Sequence, residues 1–228
     1  MMRINIWLCL GLILSVGWVM AAMPASADDQ AKAQEIVDNM TESFANLSED
    51  PNMTWFRSNL KRAKAVVILR QFRAGFIIGA SGGSGVMLSH NAQGKWSYPA
   101  FYGMGSGSIG FQIGAEGSEV ALLIMSEKGR DAMLTTDVKL GGDITVAAGP
   151  VGAGAKAATA DVLSFSRSKG LYGGVSLEGM VISPRGQLNH AYYGQEVSPL
   201  DILVNQNVQN PGASKLVTAV TKMASMGE

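Results

Sequence analysis

Glycine density in the middle of the chain constrains the fold more than any other feature of the sequence. Of 28 glycines, twelve fall in the 43 residues from 75 to 117. Glycine inside a helix costs about 1 kcal/mol relative to alanine, so a segment this rich in glycine cannot form a stable helix. No Gly-X-Y period runs through it, which excludes a collagen triple helix. Strands and turns therefore have to make up this part of the chain.

A short motif occurs twice in this region. Residues 75–82 (GFIIGASG) match residues 110–117 (GFQIGAEG) at six of eight positions. Two copies are too few for a solenoid, which needs at least three repeats. The repeat instead predicts two strands of similar role, with glycine where backbones approach closely. Between them, residues 91–94 (NAQG) predict a hairpin turn that joins strands at 86–89 and 96–99.

Helical periodicity flanks the glycine-rich region. An apolar stripe at helical spacing predicts a helix over residues 30–47, with Ala33, Ile36, Val37, Met40, Phe44 and Leu47 on one face. Further helices are predicted at 55–62, 126–133, 198–206 and 211–226, and further strands at 65–69, 120–125, 144–148, 162–166 and 172–183. Because strands dominate the middle and helices flank it, the predicted class is α+β: a glycine-rich, mainly antiparallel curved sheet or barrel with flanking helices.

The first 27 residues have the pattern of a secretory signal peptide. Arg3 precedes an uncharged, mostly apolar stretch from Ile6 to Ala22, and Ala25-Ser26-Ala27 forms a small-x-small cleavage site. The alternative is a transmembrane anchor, but an apolar run of about 17 residues is at the lower limit for a membrane span. We therefore expect cleavage near Ala27 and export.

Cysteine usage refines this expectation. Cys9 lies near the start of the apolar stretch and not just after it, so we do not expect a lipoprotein anchor. The remaining chain has no cysteine for a disulfide, a thiolate metal site or a nucleophile. We expect a periplasmic or exported protein that can associate peripherally with a membrane. Residues 28–50 would form an acidic amphipathic helix, and residues 51–228 a domain that includes the C-terminal helices.

Charge is balanced in total but segregated along the chain. The 18 basic and 18 acidic residues argue against a nucleic-acid partner. Residues 28–50 carry seven acids and one base, whereas residues 51–115 carry no acid and seven bases. The basic block can be an anion-binding surface for phosphate-bearing lipid. It can equally pair with the acidic N-terminal segment inside the molecule. Both interpretations remain open at this point.

Catalytic motifs match only in part. Residues 79–83 (GASGG) fit the nucleophile-elbow pattern G-x-S-x-G around Ser81, and His190 follows in the chain order expected for a base. That motif needs a strand-to-helix turn, whereas the residues after Ser81 predict a turn into a strand. A serine hydrolase at Ser81 is therefore the last of the alternatives.

Cofactor and metal motifs are weaker still. Gly105, Gly107 and Gly110 fit the dinucleotide fingerprint, but no helix is predicted to follow the third glycine. Walker A and HExxH sequences are missing, and the two histidines lie 100 residues apart. We expect no cofactor and no metal site.

Two segments in the second half of the chain are residues 164–179 (SFSRSKGLYGGVSLEG) and 199–203 (PLDIL). The first resembles the signature of the SYLF-domain family, and the second resembles the closing helix of that family. Other matching segments are Lys64-Ala65 leading to residues 74–76, then residues 82–86, 112–116 and 147–152. The resemblance spans roughly residues 55–206.

The resemblance implies binding and not catalysis. Eukaryotic members of the SYLF family bind phosphoinositide membranes through basic residues and an amphipathic N-terminal helix, and some bind and bundle actin. Bacterial members are mostly exported. In this chain the residues around 28–50 are acidic, which disfavours insertion of that helix into an anionic leaflet. Actin is not an expected partner in a bacterial periplasm.

The leading hypothesis is therefore a non-enzymatic envelope protein that binds anionic phospholipid or lipopolysaccharide phosphate. The candidate headgroup-binding residues are Arg167, Lys169, Lys61, Arg62, Lys64, Arg70 and Arg73. Arg167 and Lys169 lie two residues apart on a strand and so point to the same face, where they can hold one phosphate. Alternatively, they pair with Glu178 or Asp161 to stabilise the sheet. The second functional hypothesis is a structural or protein-interaction module of the envelope.

Overall fold

The computed structural model describes residues 27–75, 78–109, 114–149, 155–168, 171–173 and 177–226. The signal-peptide prediction, part of the GFQIGAEG motif, Gly110 and Lys169 therefore lie outside the described residues. The helices are α1 (Ala27–Glu49), α2 (Thr54–Leu60), α3 (Glu127–Ala132), α4 (Ala155–Thr159), α5 (Gly186–Tyr193), α6 (Pro199–Leu203) and α7 (Ser214–Ser225). The strands are β1 (Ala65–Gly75), β2 (Ile78–Ser89), β3 (Ala100–Ile109), β4 (Gly114–Ile124), β5 (Val138–Lys139), β6 (Val146–Ala148), β7 (Val162–Ser168), β8 (Leu171–Gly173) and β9 (Val181–Pro184).

These strands form one nine-stranded sheet. Its order is β5-β9-β3-β2-β1-β4-β7-β6, and β8 also pairs with β7. Every ladder is antiparallel except the one between β6 and β7. The sheet is curled, so the predicted α+β class with a mainly antiparallel curved sheet is confirmed.

One half of the sheet is packed on both faces. Along β1, Val66 and Ile68 belong to one hydrophobic cluster, while Val67 and Leu69 belong to the other. The first cluster is completed by α1, α2, α5 and α7, and the second by α6 and the segments around β5 and β9. Because side chains alternate along a strand, each apolar residue between 65 and 69 faces one of the two cores.

Helix α1 packs its apolar stripe against the first cluster. The predicted stripe from Ala33 to Leu47 is between 0 and 8% exposed, which confirms the predicted helix. A helix that inserts into a membrane needs such a stripe free to meet lipid. In this protein the stripe is already buried against the sheet, so it is not available to a membrane while α1 stays in place.

Two local predictions at helix starts are confirmed, and so is the hairpin turn. The hydroxyl oxygens of Ser126 and Ser198 accept backbone hydrogen bonds at the starts of α3 and α6, and Ser198 forms a capping box with Asp201. The turn at 91–94 closes with Gly94 N–H donating to the Asn91 carbonyl oxygen over 2.9 Å. The strand after this turn begins at Ala100 and not at 96.

The predicted strand over residues 172–183 is wrong. β8 ends at Gly173 and β9 begins at Val181. Between them the chain turns at Gly179, whose φ of +85° is a conformation that glycine adopts without strain. α5 was not predicted, and His190 therefore lies in a helix and not near a strand end.

Candidate functional site

Beyond the two cores the long strands continue as a glycine-rich extension. We call it the outer half of the sheet, made of residues 70–75, 78–85, 103–109, 114–119 and 166–168. Antiparallel register places Arg70 of β1 opposite Glu119 of β4, and Glu119 opposite Arg167 of β7. Three alternating charges thus form a row across neighbouring strands, which we call the Arg–Glu–Arg row. All three lie on the face that α1 covers.

Arg70 joins the row to α1. Its Nε donates to Ser43 Oγ over 2.9 Å, its Nη1 to Asn39 Oδ1 over 2.8 Å and its Nη2 to Glu42 Oε2 over 2.6 Å. Glu119 Oε1 lies 3.8 Å from the same Nη2. Each nitrogen of this guanidinium therefore has a partner on α1, which holds the helix against the sheet.

Glu119 and Arg167 complete the row. Glu119 Oε1 accepts from Asn46 Nδ2 of α1 over 2.9 Å, and its Oε2 accepts from Arg167 Nη1 over 3.3 Å. Arg167 Nε lies 3.4 Å from Asp50 Oδ2, which makes an ion pair. No described residue offers this buried Nε an acceptor in hydrogen-bonding geometry. Arg167 is consequently held less completely than Arg70.

A groove of about 320 Å³ opens beside this row. Its lining includes all three charged residues together with Phe72, Gly117 and Ser118. Phe72 lies two residues beyond Arg70 on the same face of β1, or about 7 Å along the strand. It is 69% exposed, the highest value among the large apolar side chains of the described residues. An exposed aromatic next to half-buried arginines distinguishes this groove from the rest of the described surface.

Glycines flank Phe72 on both sides, at Gly82 of β2 and Gly117 of β4. A Cβ at Gly82 would have its nearest neighbour at 3.9 Å, and a Cβ at Gly105 on the next strand would too. Packing therefore does not require glycine at either position. In contrast, a Cβ at Gly83 would come within 2.6 Å of the Arg70 carbonyl oxygen on the other face. Small residues at 82 and 105 leave the groove side of the sheet bare around Phe72.

The predicted basic residues fall into two groups. Arg70 and Arg167 line the groove, and Arg73 follows on β1 without a described side-chain position. Lys61 and Arg62 are exposed in the turn after α2, and Lys64 pairs with Glu127 over 3.1 Å. This second group precedes β1, whose first residue lies about 17 Å of strand before Arg70. The seven residues therefore do not form one continuous patch.

The alternative pairing predicted for Arg167 is wrong in its partners. Arg167 pairs with Glu119 and Asp50, and not with Glu178 or Asp161. Asp161 instead binds Ser126, Thr145 and Lys128. Although burial opposes ionisation, the hydrogen bonds and the lysine hold the pKa of Asp161 below its ordinary value. The structure also shows internal pairing of the acidic N-terminal segment with the basic block, through Glu42 and Arg70.

The catalytic alternative lacks its structural context. Ser81 lies inside β2, where its hydroxyl is 2.8 Å from that of Ser106. A nucleophile elbow would need a strand-to-helix turn at this serine. His190 Nδ1 lies 2.9 Å from Glu196 Oε1. The described ranges contain no group of three His, Cys, Asp or Glu side chains that could hold a metal ion. None of their helices is long and apolar enough to span a membrane.

Sequence reasoning missed Phe72, Glu119 and Asp50 as members of the site. Phe72 carries a weak signal, because it lies at i+2 from Arg70 on a strand. Glu119 and Asp50 come from distant segments, and only the strand register and the position of α1 bring them together. Their contribution could not be read from spacing along the chain.

Comparison with known proteins identifies the family. The profile described as "Ysc84: Las17-binding protein actin regulator" matches residues 105–223, just over half of the chain. The chain belongs to this family, which confirms the SYLF-domain prediction.

Named relatives come from animals and yeast. The human "SH3 domain-containing YSC84-like protein 1" is 32% identical over 188 residues, which cover 79% of this chain and 54% of the relative. Yeast "Protein YSC84" is 33% identical over 173 residues, or 72% of this chain and 37% of that protein. Yeast "LAS seventeen-binding protein 3" is 32% identical over 176 residues, or 72% and 38%. The chain thus spans about half the length of the human relative and less of the yeast ones. Of these descriptions, the name of the last yeast protein states binding, and that of the family states Las17 binding and actin regulation.

Proposed function

We propose that this chain is a non-enzymatic module that binds anionic phospholipid headgroups at a membrane surface through the outer half of its sheet. The observation that carries the proposal is Phe72, an exposed aromatic about 7 Å beyond the Arg–Glu–Arg row. An amphipathic arrangement of this kind suits a membrane interface, where aromatic rings lie at headgroup level and cations meet the phosphates.

The distribution of formal charge also supports the outer half of the sheet as the lipid-binding surface. The outer half of the sheet and the residue after β7 contain four basic residues, Arg70, Arg73, Arg167 and Lys169, against two acidic ones, Glu116 and Glu119. Each cation near an anionic membrane surface contributes about 1 kcal/mol of attraction. Two further acids, Glu42 and Asp50, contact this half of the sheet and are ion-paired with Arg70 and Arg167.

The expected export of the chain determines which surface it would meet. In a bacterial periplasm the available phosphate groups belong to anionic phospholipid and lipopolysaccharide. Both present the same phosphate chemistry to the groove. Lys61, Arg62 and Lys64, at the other end of β1, would then act as a secondary cationic site.

Replacing Phe72 with alanine should weaken binding to anionic vesicles about tenfold. Loss of a partly inserted aromatic removes about 1.4 kcal/mol, which corresponds to one decade in affinity. Because the ring is exposed, the melting temperature should stay unchanged. Vesicle sedimentation and thermal unfolding measured on the same preparation check both expectations.

Leu200→Ala is the matched control for this experiment. Leu200 is also exposed, at 46%, but it lies on α6, away from the groove. Replacing Leu200 with alanine should leave the affinity for anionic vesicles unchanged. Equal weakening by the two substitutions would contradict a specific role for Phe72.

A protein partner is the second candidate. The family description names Las17 binding and actin regulation, and arginine and aromatic residues are the types enriched in protein interfaces. A protein-binding role predicts no retention on vesicles of any charge. It also predicts co-purification of a defined envelope protein that Phe72→Ala releases.

A further inference from the structure

The side chains that line the groove also hold α1. Arg70 binds Asn39, Glu42 and Ser43, Glu119 binds Asn46, and Arg167 pairs with Asp50 just after the helix. A ligand that draws on either arginine therefore competes with acids of the N-terminal segment. Binding in the groove and pairing with that segment are thermodynamically linked, because they use the same charges.

The two arginines differ in how readily they can be released. Arg70 makes three hydrogen bonds of 2.6 to 2.9 Å to α1, one on each nitrogen of its guanidinium. Among the described residues, Arg167 donates one long hydrogen bond, of 3.3 Å, to Glu119. Its buried Nε finds no acceptor in hydrogen-bonding geometry within the described part of the chain, and buried donors of this kind are rare in native structures. A phosphate oxygen would satisfy this donor, so exchange is favoured at Arg167 and not at Arg70.

Asp50 would keep the hydrogen bonds of one carboxylate oxygen after giving up Arg167. Its Oδ1 accepts from Asn52 N over 2.9 Å and from Asn52 Nδ2 over 3.1 Å. Only Oδ2 faces Arg167. After exchange, the carboxylate would keep its role as N-cap of the turn at Pro51–Met53.

We propose that Asp50 is an internal competitor that occupies Arg167 until a lipid phosphate replaces it. This inference rests on the proposed lipid-binding function and adds its regulation. Asp50 lowers the affinity of the groove for anions, while Arg70 keeps α1 attached throughout. The acidic N-terminal segment thereby sets how strongly the groove attracts an anionic surface.

The test compares two variants that remove the same formal charge. Asp50→Asn preserves the Oδ1 cap but removes the competitor, and should raise affinity for phosphatidylglycerol vesicles about fivefold. Glu49→Gln is the matched control, because no ion pair among the described residues involves Glu49. It should change affinity by less than about twofold, through general charge alone. In an Arg167→Gln background, Asp50→Asn should change affinity no more than Glu49→Gln does.

The outcomes distinguish a failure of this inference from a failure of the proposed lipid-binding function. If wild type binds phosphatidylglycerol vesicles and Asp50→Asn binds no more tightly, the competitor role is wrong and lipid binding stands. Equal gains from Asp50→Asn and Glu49→Gln would also overturn it, since charge alone would then explain both. If neither wild type nor Asp50→Asn binds, the inference and the proposed function fall together. Melting temperatures of all variants confirm that each is folded.

Discussion

Gly85→Ala is expected to destabilise the protein by about 3 kcal/mol, near the upper end of overpacking costs. An added Cβ at Gly85 would overlap the Ile68 carbonyl oxygen and lie 2.8 Å from the Leu69 Cα on the neighbouring strand. Both contacts are with backbone, and Ile68 and Leu69 are fully buried between the two cores, so neither strand can move away. Denaturant unfolding of the variant measures the loss directly.

Gly82→Ala on the same strand is the control. Its Cβ would meet no atom closer than 3.9 Å, so the free energy of unfolding should change by less than about 0.5 kcal/mol. If the two substitutions destabilise the protein equally, close backbone approach is not the reason for glycine at position 85.

Arg70→Met should cost about 2 kcal/mol and loosen α1. The substitution keeps an unbranched apolar stem but removes three hydrogen bonds to the helix, one of them to a carboxylate. Amide hydrogens in the part of α1 around residues 39–46 should then exchange faster with solvent. Hydrogen exchange combined with thermal unfolding detects both effects.

Arg62→Met removes a cation of the same type from an exposed turn. It should leave both the melting temperature and α1 exchange unchanged. If the amide hydrogens of α1 exchange as slowly in Arg70→Met as in the wild type, apolar packing alone holds the helix.

Local sequence signals predicted the elements whose energetics are local. The apolar stripe of α1 predicted both the helix and the side it buries, because a 3.6-residue period needs no knowledge of the partner surface. Ser126 and Ser198 predicted helix starts because capping is settled within one turn. Glycine density predicted strands because the cost of glycine in a helix arises within the segment itself.

Elements that depend on distant contacts were not predicted. α5 begins at Gly186, a poor helix former, and it is stabilised by packing Leu188 and Tyr192 into the first core. Apparent alternation across residues 172–183 hid the turn at Gly179. The Arg–Glu–Arg row depends on strand register, which brings Glu119 between two arginines that lie 97 residues apart in the chain.

Internal pairing, one of the two interpretations of the segregated charge, applies to part of the basic block. Arg70 is engaged by the acidic helix through Glu42, as internal pairing requires. Arg167 lies outside the basic block, yet it also pairs with acids, Asp50 and Glu119. Arg62 lies on the exposed turn after α2. A charge block in a sequence thus does not translate into a single surface.

Flotation with lipid vesicles tests the central claim most directly. The chain from Asp28 onward should float with phosphatidylglycerol vesicles at low salt, much less at high salt, and not with phosphatidylcholine vesicles. Arg167→Gln combined with Lys169→Gln should lower the anionic binding about thirtyfold, at about 1 kcal/mol for each neutralised cation. A folded wild-type chain that floats with neither vesicle, or equally with both, would contradict the assignment of this module to anionic membrane surfaces.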